Sequence, residues 1–276
     1  MPNKIDAILL NDRAILCLSG PDRKSLLQGL ITNNVDKIAE GSALYAALLT
    51  PQGKYLHDFF ITEADATLYL DCERERRADL LRRLMMYRLR ADVDITDCSD
   101  RFAVLALATA ADHPAISYPD PRHKDMGFRA IAPRAEGAVA DPDSAAYDRR
   151  RLSLGLPDGS RDFEVDRTLI LEGNLEELNG VDFEKGCYVG QEVTARMKHR
   201  TSLKKRLLPV RVTGPLPDRG TEIINGDGKK IGDLRSANGD LAIGYFRLAD
   251  MNFGETYRCG DAVVTPVRPD WYPKDQ

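Results

Sequence analysis

The sequence of 276 residues predicts an α+β protein, with a larger mixed body followed by a small all-β module. Up to about residue 200, apolar segments typical of strands are separated by single helical segments. Beyond Leu203 the sequence holds short strands and turns and no clear helix. The composition, 43% hydrophobic and 30% charged, is that of a globular chain with a sizeable core.

The body begins with an apolar strand, Ala14–Ser19, and a Gly20-Pro21-Asp22 turn that precedes a helix predicted over Arg23–Ile31. Further strands are predicted at Ala43–Leu49, Tyr55–Thr62, Thr67–Asp71, Val93–Thr96 and Phe102–Ala108. A short helix is predicted at Tyr147–Leu154. Residues 112–143 are rich in Pro and Gly and predict no regular element.

One predicted helix, Arg74–Arg90, is strongly basic. Leu81, Leu84, Met85 and Leu89 recur at helical spacing and are expected to face the core, while most of the arginines face outward. The basic face is either simply solvated or a landing site for an anionic tail or partner.

The C-terminal module is predicted from its turns. Asn225-Gly226-Asp227-Gly228 and Asn238-Gly239 supply residues that tolerate positive φ, as β-hairpins require. The strands predicted around them are Arg206–Val212, Glu222–Ile224, Lys230–Arg235, Leu241–Arg247 and Ala262–Val267. We expect a small barrel, with domains at 1–200 and 201–276.

Charge and cysteine content narrow the classes of function. A net charge of −4 argues against binding nucleic acid, and no apolar run approaches the roughly 18 residues of a membrane helix. Locally, 193–217 has seven bases and no acid, which marks a solvated face, a domain seam or an anion-binding edge. Five scattered cysteines and an N-terminus unlike a signal peptide predict a cytoplasmic protein without a zinc site or disulfide framework.

The segment richest in chemistry is KGCYVGQE, residues 185–192. Two glycines let the backbone turn tightly around Cys187, and Lys185 brings positive charge, which favours the reactive thiolate. A buried, inert cysteine is the alternative from the residues alone. A Cys–His pair with His57 or His199 has no support from spacing, and no nucleotide-binding, zinc-protease or serine-hydrolase motif is present.

This octapeptide resembles the signature of the YgfZ-type folate-binding proteins, which support iron–sulfur cluster assembly and repair. Other blocks are similar to that family as well: LLQGLITNNV (26–35), LTPQGKYLHDFFI (49–61), LEGNLEELNGVDFEKGCYVGQEVTAR (171–196) and GDLRSANGDLAIGYFR (232–247). The resemblance implies a T-protein-like body of two mixed α/β subdomains around a central folate cavity, followed by a C-terminal barrel.

The resemblance also implies roles for residues. Cys187 is the working thiol; the rest of its loop is formed by Lys185, Gly186, Tyr188, Gly190, Gln191, Glu192 and Arg196. Asp58, Asn33 and Ser153 stand at cofactor-binding positions for tetrahydrofolate or a derivative. Ser153 replaces a glutamate that grips folate in T-proteins, and a hydroxyl cannot supply that carboxylate's two charge-assisted hydrogen bonds. Asn34 stands where the family commonly has Asp.

The function implied is that of an accessory factor, not a turnover enzyme. It binds tetrahydrofolate and uses Cys187 in building or repairing iron–sulfur clusters on client or scaffold proteins, including tRNA-modifying enzymes. No stable metal site is expected, because one cysteine cannot hold a cluster that usually takes four ligands. A transient cluster that Cys187 shares with another thiol is expected instead. The alternative is a folate-dependent aminomethyltransferase or demethylase. No nucleic acid or membrane partner is expected.

Overall fold

A computed structural model gives the fold and describes residues 7–110, 116–137, 140, 143–200 and 203–274. Within these residues the chain forms two antiparallel sheets and a closed barrel. The predicted α+β class, with a mixed body and a C-terminal β-barrel, is thereby confirmed. No described helix is long and apolar enough to cross a membrane.

The described strands are β1 (Ala7–Leu9), β2 (Arg13–Ser19), β3 (Leu44–Leu49), β4 (Tyr55–Ala64), β5 (Thr67–Glu73), β6 (Asp94–Asp97), β7 (Phe102–Leu107), β8 (Ile116–Pro119), β9 (Phe128–Pro133), β10 (Lys205–Thr213), β11 (Glu222–Ile224), β12 (Lys230–Asn238), β13 (Leu241–Arg247), β14 (Tyr257–Cys259) and β15 (Ala262–Pro266). The described helices are α1 (Arg23–Gln28), α2 (Arg77–Arg88), α3 (Arg134–Gly137), α4 (Ala145–Ser153), α5 (Gly159–Asp162) and α6 (Gln191–Arg200).

The first sheet has the strand order β3-β4-β5-β2-β6 and is covered on both faces. Because successive strand residues point to opposite faces, Leu16 and Leu18 pack under α1 and α2, while Ile15 packs into a central core. That central core also takes side chains from α4, from the barrel and from the second sheet, whose order is β1-β7-β9-β8. The first sheet therefore lies between a helical layer and the centre of the molecule.

The barrel closes in the order β10-β13-β12-β11-β14-β15, with every neighbouring pair antiparallel. Both turns recognised in the sequence connect its strands. Asn225 N–H donates to the Lys229 carbonyl at 3.0 Å between β11 and β12, and Gly239, at φ +63°, joins β12 to β13. Closure leaves no free sheet edge in this module.

The helix α2 differs from its prediction in phase. Leu80 and Leu84 are buried, whereas Met85 and Leu89, which were expected in the core, are 42% and 85% exposed. The sequence offers two overlapping apolar stripes, and the packing against β2 and β6 selects the one that contains Leu80. The helix ends at Arg88, so that Leu89 lies beyond it.

Two further expectations were wrong. Residues 112–143, for which no element was predicted, contain β8 and β9 within the described range, although 112–115 and other positions lie outside it. No disulfide was predicted, yet Cys17 on β2 and Cys98 after β6 are joined by one, with Cα atoms 6.1 Å apart. The pair is buried and 81 residues apart in sequence, a proximity that only the fold creates.

Candidate functional site

The KGCYVGQE loop lies at the β3 edge of the first sheet and leads into α6. Lys185 Nζ donates hydrogen bonds of 2.7 Å to the carbonyls of Ile31 and Asn33. Val189 N–H donates to the Gly29 carbonyl at 3.2 Å. The loop is thus attached on one side to the segment between α1 and β3.

On its other side the loop packs against the β3–β4 turn through two glycines. Gly190 has φ +85°, and a Cβ added there would lie 2.5 Å from the Thr50 carbonyl oxygen. Gly53, at φ +75°, leaves no room either, since its Cβ would lie 2.9 Å from Val193 Cβ. The two backbones approach so closely that only glycine fits both positions.

Tyr188 and Gln191 close the loop internally. Tyr188 N–H donates to Gln191 Oε1 at 3.0 Å, and Gln191 N–H donates to the Tyr188 carbonyl at 3.3 Å. Lys185 Nζ lies 5.1 Å from the centre of the Tyr188 ring, and burial raises the pKa of the Tyr188 hydroxyl to about 12. Tyr188 packs against the central core and Val189 against the core under the helices, so the loop straddles the sheet edge.

Glu192 and Arg196 lie on the exposed side of α6. Arg196 donates to Glu192 Oε1 at 3.0 Å, an i,i+4 pair in which the Arg196 side chain is 61% exposed and the Glu192 side chain 83%. Exposed pairs of this kind stabilise a helix only slightly. In this structure the two residues contact each other rather than the thiol.

Cys187 is the accessible free thiol of the chain. Cys72 and Cys259 are buried, and burial raises the pKa of their thiols to about 12 and about 11. Cys17 and Cys98 are consumed by their disulfide. Cys187 and Gly186 are exposed, and a Cβ on Gly186 would meet nothing within 4 Å, so space around the thiol is open to a large group.

The sequence proposed Lys185 as an electrostatic partner of Cys187, but its ammonium points inward to two carbonyls. Burial there lowers the pKa of Lys185 to about 8. No hydrogen bond joins Cys187 to Lys185, His57 or His199 among the described residues. His57 on β4 instead contacts Asp79 of α2 at 2.9 Å, and burial lowers the pKa of His57 to about 4. Among the described residues, therefore, no histidine is hydrogen-bonded to Cys187.

Asp58, the residue expected beside a folate, is closed off on the central face of β4. It is 3% exposed, and its two carboxylate oxygens accept hydrogen bonds from Tyr45 at 2.9 Å and Tyr55 at 2.7 Å. Burial raises the pKa of Asp58. A cleft of about 340 Å³ lies nearby, lined by Arg13, Glu73 and Gly159 among others; Asp58 is not among its lining residues, although a Cβ on Gly159 would lie 3.6 Å from Asp58 Oδ1.

Three buried arginines fill the space beside Asp58. The guanidinium groups of Arg129, Arg122 and Arg13 lie 4.1, 4.8 and 5.6 Å from the centre of the Phe60 ring, two residues along the same strand face. Each is paired with a buried carboxylate, Asp71 for Arg13 and Arg129 and Asp120 for Arg122. Such a network is stable only when every member keeps its partner.

The other two residues expected at a folate are engaged elsewhere. The Asn33 amide donates to the Tyr45 and Asn179 carbonyls, both at 2.8 Å, and Ser153 is exposed and donates to the Arg150 carbonyl at 2.7 Å. Asp58, Asn33 and Ser153 therefore do not converge on a common space. In this conformation these residues do not fit a pterin ring, which needs free polar groups around a cavity.

The residues that hold the loop from outside it were not among the predicted site residues. Gly53 and Thr50 lie in the block LTPQGKYLHDFFI (49–61), which is similar to a block of the YgfZ-type family, and the glycine of its PQG turn was the one sign of a close backbone contact. Nothing in the sequence signalled Arg13, Arg122 and Arg129, because their partners come from distant segments.

The fold and the loop together define a class of protein. Residues 14–111 match the GCVT N-terminal domain, and residues 204–274 match the CAF17 C-terminal beta-barrel domain. A crystal structure of glycine cleavage system aminomethyltransferase T from Bartonella henselae superposes with a TM-score of 0.76 over 99% of this chain and 88% of that one, at 15% identity. The chain has the T-protein fold.

Relatives narrow the class further. The human mitochondrial iron–sulfur cluster assembly factor IBA57 is 31% identical, and the Mus musculus protein is 30% identical; each alignment covers 96% of this chain and 84% of the relative. The Dictyostelium discoideum homologue is 28% identical over 73% of this chain and 61% of its own length. The chain belongs to the IBA57 family of iron–sulfur cluster assembly factors, within the T-protein superfamily.

These relatives correct one expectation. The predicted cytoplasmic location was wrong by this comparison, because the relatives that match nearly the whole chain are mitochondrial proteins.

Proposed function

We propose that this chain is an iron–sulfur cluster assembly or repair factor whose working group is the Cys187 thiol. The observation that carries the proposal is the position of that thiol: it is exposed at the tip of a loop whose two flanks are fixed to the body. A fixed loop presents the sulfur in one geometry, so less conformational entropy is lost when it binds. The family of the relatives supports the same role.

The thiol serves as one ligand of a cluster in transit or as a partner in thiol exchange. A [4Fe–4S] or [2Fe–2S] cluster usually takes four ligands, and this loop supplies one sulfur. The remaining ligands therefore come from a scaffold protein, a client protein or a small thiol such as glutathione. Open space around Gly186 accommodates such a partner. We further propose that the chain acts as YgfZ-type proteins do, with tRNA-modifying enzymes among its clients.

The test is complementation of a bacterium deleted for its own YgfZ-type gene, read out as the activity of a [4Fe–4S] tRNA-thiolating enzyme under oxidative stress. Wild type is expected to restore activity and Cys187→Ser to fail. Cys259→Ser, at a buried thiol, is the matched control and should rescue. Rescue by Cys187→Ser would reject the thiol role, and failure of folded wild type would reject the assembly role.

Tetrahydrofolate binding stays a prediction that rests on the resemblance. Its support is Asp58 on the central face; against it stand the tyrosine hydroxyls that occupy both carboxylate oxygens. The proposed role of Cys187 does not depend on folate. Titration of the purified chain with tetrahydrofolate, compared with Asp58→Asn, decides whether this site binds it at all.

The second candidate is a folate-dependent aminomethyltransferase, and the observation that favours it is the fold shared with aminomethyltransferase T. Release of ammonia from an aminomethyl donor, with the carbon passing to tetrahydrofolate as its methylene derivative, would support it. Ser153, in place of a glutamate and directed to the Arg150 carbonyl, leads us to expect no release.

A further inference from the structure

Half of the exposed large apolar side chains in the described part of the chain lie at the C-terminal end of α2. Of eight exposed large hydrophobic residues in the described part, four are Met85, Met86, Tyr87 and Leu89. Scattered exposed apolar residues are ordinary, but a contiguous group marks a surface for interaction. We refer to these four residues, with Arg82, Arg88 and Arg90, as the α2 patch.

Most of the α2 patch lies on the helix. Arg82, Met85 and Met86 stand at spacings of three and four residues, so they share one face of α2. Leu80 and Leu84 hold the opposite face of the helix in the core with 0% exposure. Leu89 and Arg90 follow directly after the end of the helix at Arg88 and complete the patch.

Leu89 gives a second, independent observation. It has φ +46° and ψ −104° just beyond the helix, and it is 85% exposed. A leucine with positive φ is strained, because its Cβ crowds the backbone. An exposed leucine in that conformation does not stabilise the folded chain. A partner that buries the side chain, in contrast, gains binding free energy from it. Strain of this kind clusters at binding sites.

The charge around the patch indicates the chemistry of the partner. Residues 74–90 carry seven arginines and two acids, while the whole chain has a net charge of −4. Arg88 donates to the Val93 carbonyl at 3.2 Å, and neither Arg88 nor Arg90 pairs with a carboxylate in the described residues. Arg82 is already paired with Asp79, so the unpaired charge of the patch comes from Arg88 and Arg90. Apolar side chains beside these two cations complement an apolar groove rimmed by Asp and Glu.

We propose that the α2 patch docks an acidic partner protein, with Met86 and Leu89 in its groove and the arginines on its acidic rim. This resembles the helix-in-groove mode of recognition, with Met85 and Met86 as anchors on the helix and Leu89 as an anchor just beyond its end. Methionine side chains adapt their shape to such grooves. The proposal is independent of Cys187 and of the assembly role.

An anionic membrane fits the patch less well. Helices that lie on a membrane bury a long apolar face in lipid. In α2 the apolar face formed by Leu80 and Leu84 is buried in the core of the protein instead.

The experiment places the photocrosslinker p-benzoylphenylalanine at Met86 of the full chain in its native cell, with Leu216, exposed in the barrel, as control position. The labelled protein is identified, purified and titrated with the chain. We expect an acidic labelled segment, and a Kd that rises about tenfold or more for Arg88→Glu with Arg90→Glu. A matched double reversal, Arg167→Glu with Arg211→Glu, should leave the Kd nearly unchanged, and Glu→Arg in the labelled segment should restore binding.

Leu89→Gly separates binding from folding. Glycine adopts φ +46° and ψ −104° without a Cβ clash, so this variant should keep or raise Tm while its Kd rises. No label, label on lipid, label on a second copy of the chain, or a labelled segment without acids would each overturn the proposal. So would a double reversal at Arg88 and Arg90 that binds as the control does.

Discussion

The resemblance pointed to two chemical centres, the Cys187 loop and the Asp58 site, and the two differ in how accessible their reactive groups are to solvent. The loop is anchored from both sides, yet its thiol stays exposed. Asp58 is sealed, with both oxygens bonded to tyrosines and three arginines beside it. Residue identity carries over between relatives more readily than accessibility does, because accessibility depends on side chains from elsewhere in the chain.

The largest effect is expected at the sealed site. Arg122 donates to both oxygens of Asp120, at 2.8 and 3.0 Å, and both side chains are buried. Arg122→Met should lower the free energy of unfolding by about 3 kcal/mol, because it removes the guanidinium that donates to the buried Asp120 carboxylate and leaves only Arg129, 4.0 Å away. Urea denaturation measures this.

The control is Arg149→Met, which removes an exposed ion pair with Asp240 and should leave stability nearly unchanged. If Arg122→Met proved equally mild, the space beside Asp58 would be hydrated, and the contrast between the two centres would fail.

The anchored loop can be tested through its glycines. Gly190→Ala places a Cβ against the Thr50 carbonyl at positive φ and should cost about 3 kcal/mol of unfolding free energy. Gly186→Ala, two residues into the same motif, meets open space and should be tolerated in both stability and complementation. Equal effects of the two alanines would contradict the close approach of the loop to the β3–β4 turn.

These two centres also show what could be predicted from sequence. The barrel was predictable because its turns carry their own signal in adjacent Asn and Gly residues. The loop was predictable because eight consecutive residues form it. The arginine network was not, since Arg13 meets Asp71 across 58 residues. The phase of α2 was ambiguous because Leu80, Leu81, Leu84 and Met85 build two overlapping stripes, and only packing chooses between them.

A smaller effect is expected for Tyr55→Phe. The ring would keep its stacking on Phe163, with centroids 4.5 Å apart, while Asp58 loses one of its two hydroxyl donors. We expect a loss of about 2 kcal/mol in unfolding free energy and a higher pKa for Asp58. If tetrahydrofolate binds at all, this variant frees a carboxylate oxygen and should bind it more tightly than wild type. Tight binding by wild type, abolished by Asp58→Asn, would show that the site opens in solution.

The last effect concerns the buried anchor of the loop, Lys185, and appears only as a change of stability with pH. Burial lowers the pKa of Lys185 from 10.5 to about 8 in the folded chain. Between these values the unfolded chain holds more protons than the folded one, so this residue makes the folded state more stable as pH rises from 8 to 10.5; below pH 8 the cost of burying the charge is fully present. The neutral amine still has two protons for the Ile31 and Asn33 carbonyls, so the anchor survives deprotonation.

The free energy of unfolding measured between pH 8 and 10.5 should rise for wild type relative to Lys185→Met. Lys230→Met, at an exposed position, should follow wild type. Parallel curves for wild type and Lys185→Met would mean that the ammonium is solvated and that the loop is held by its glycines alone.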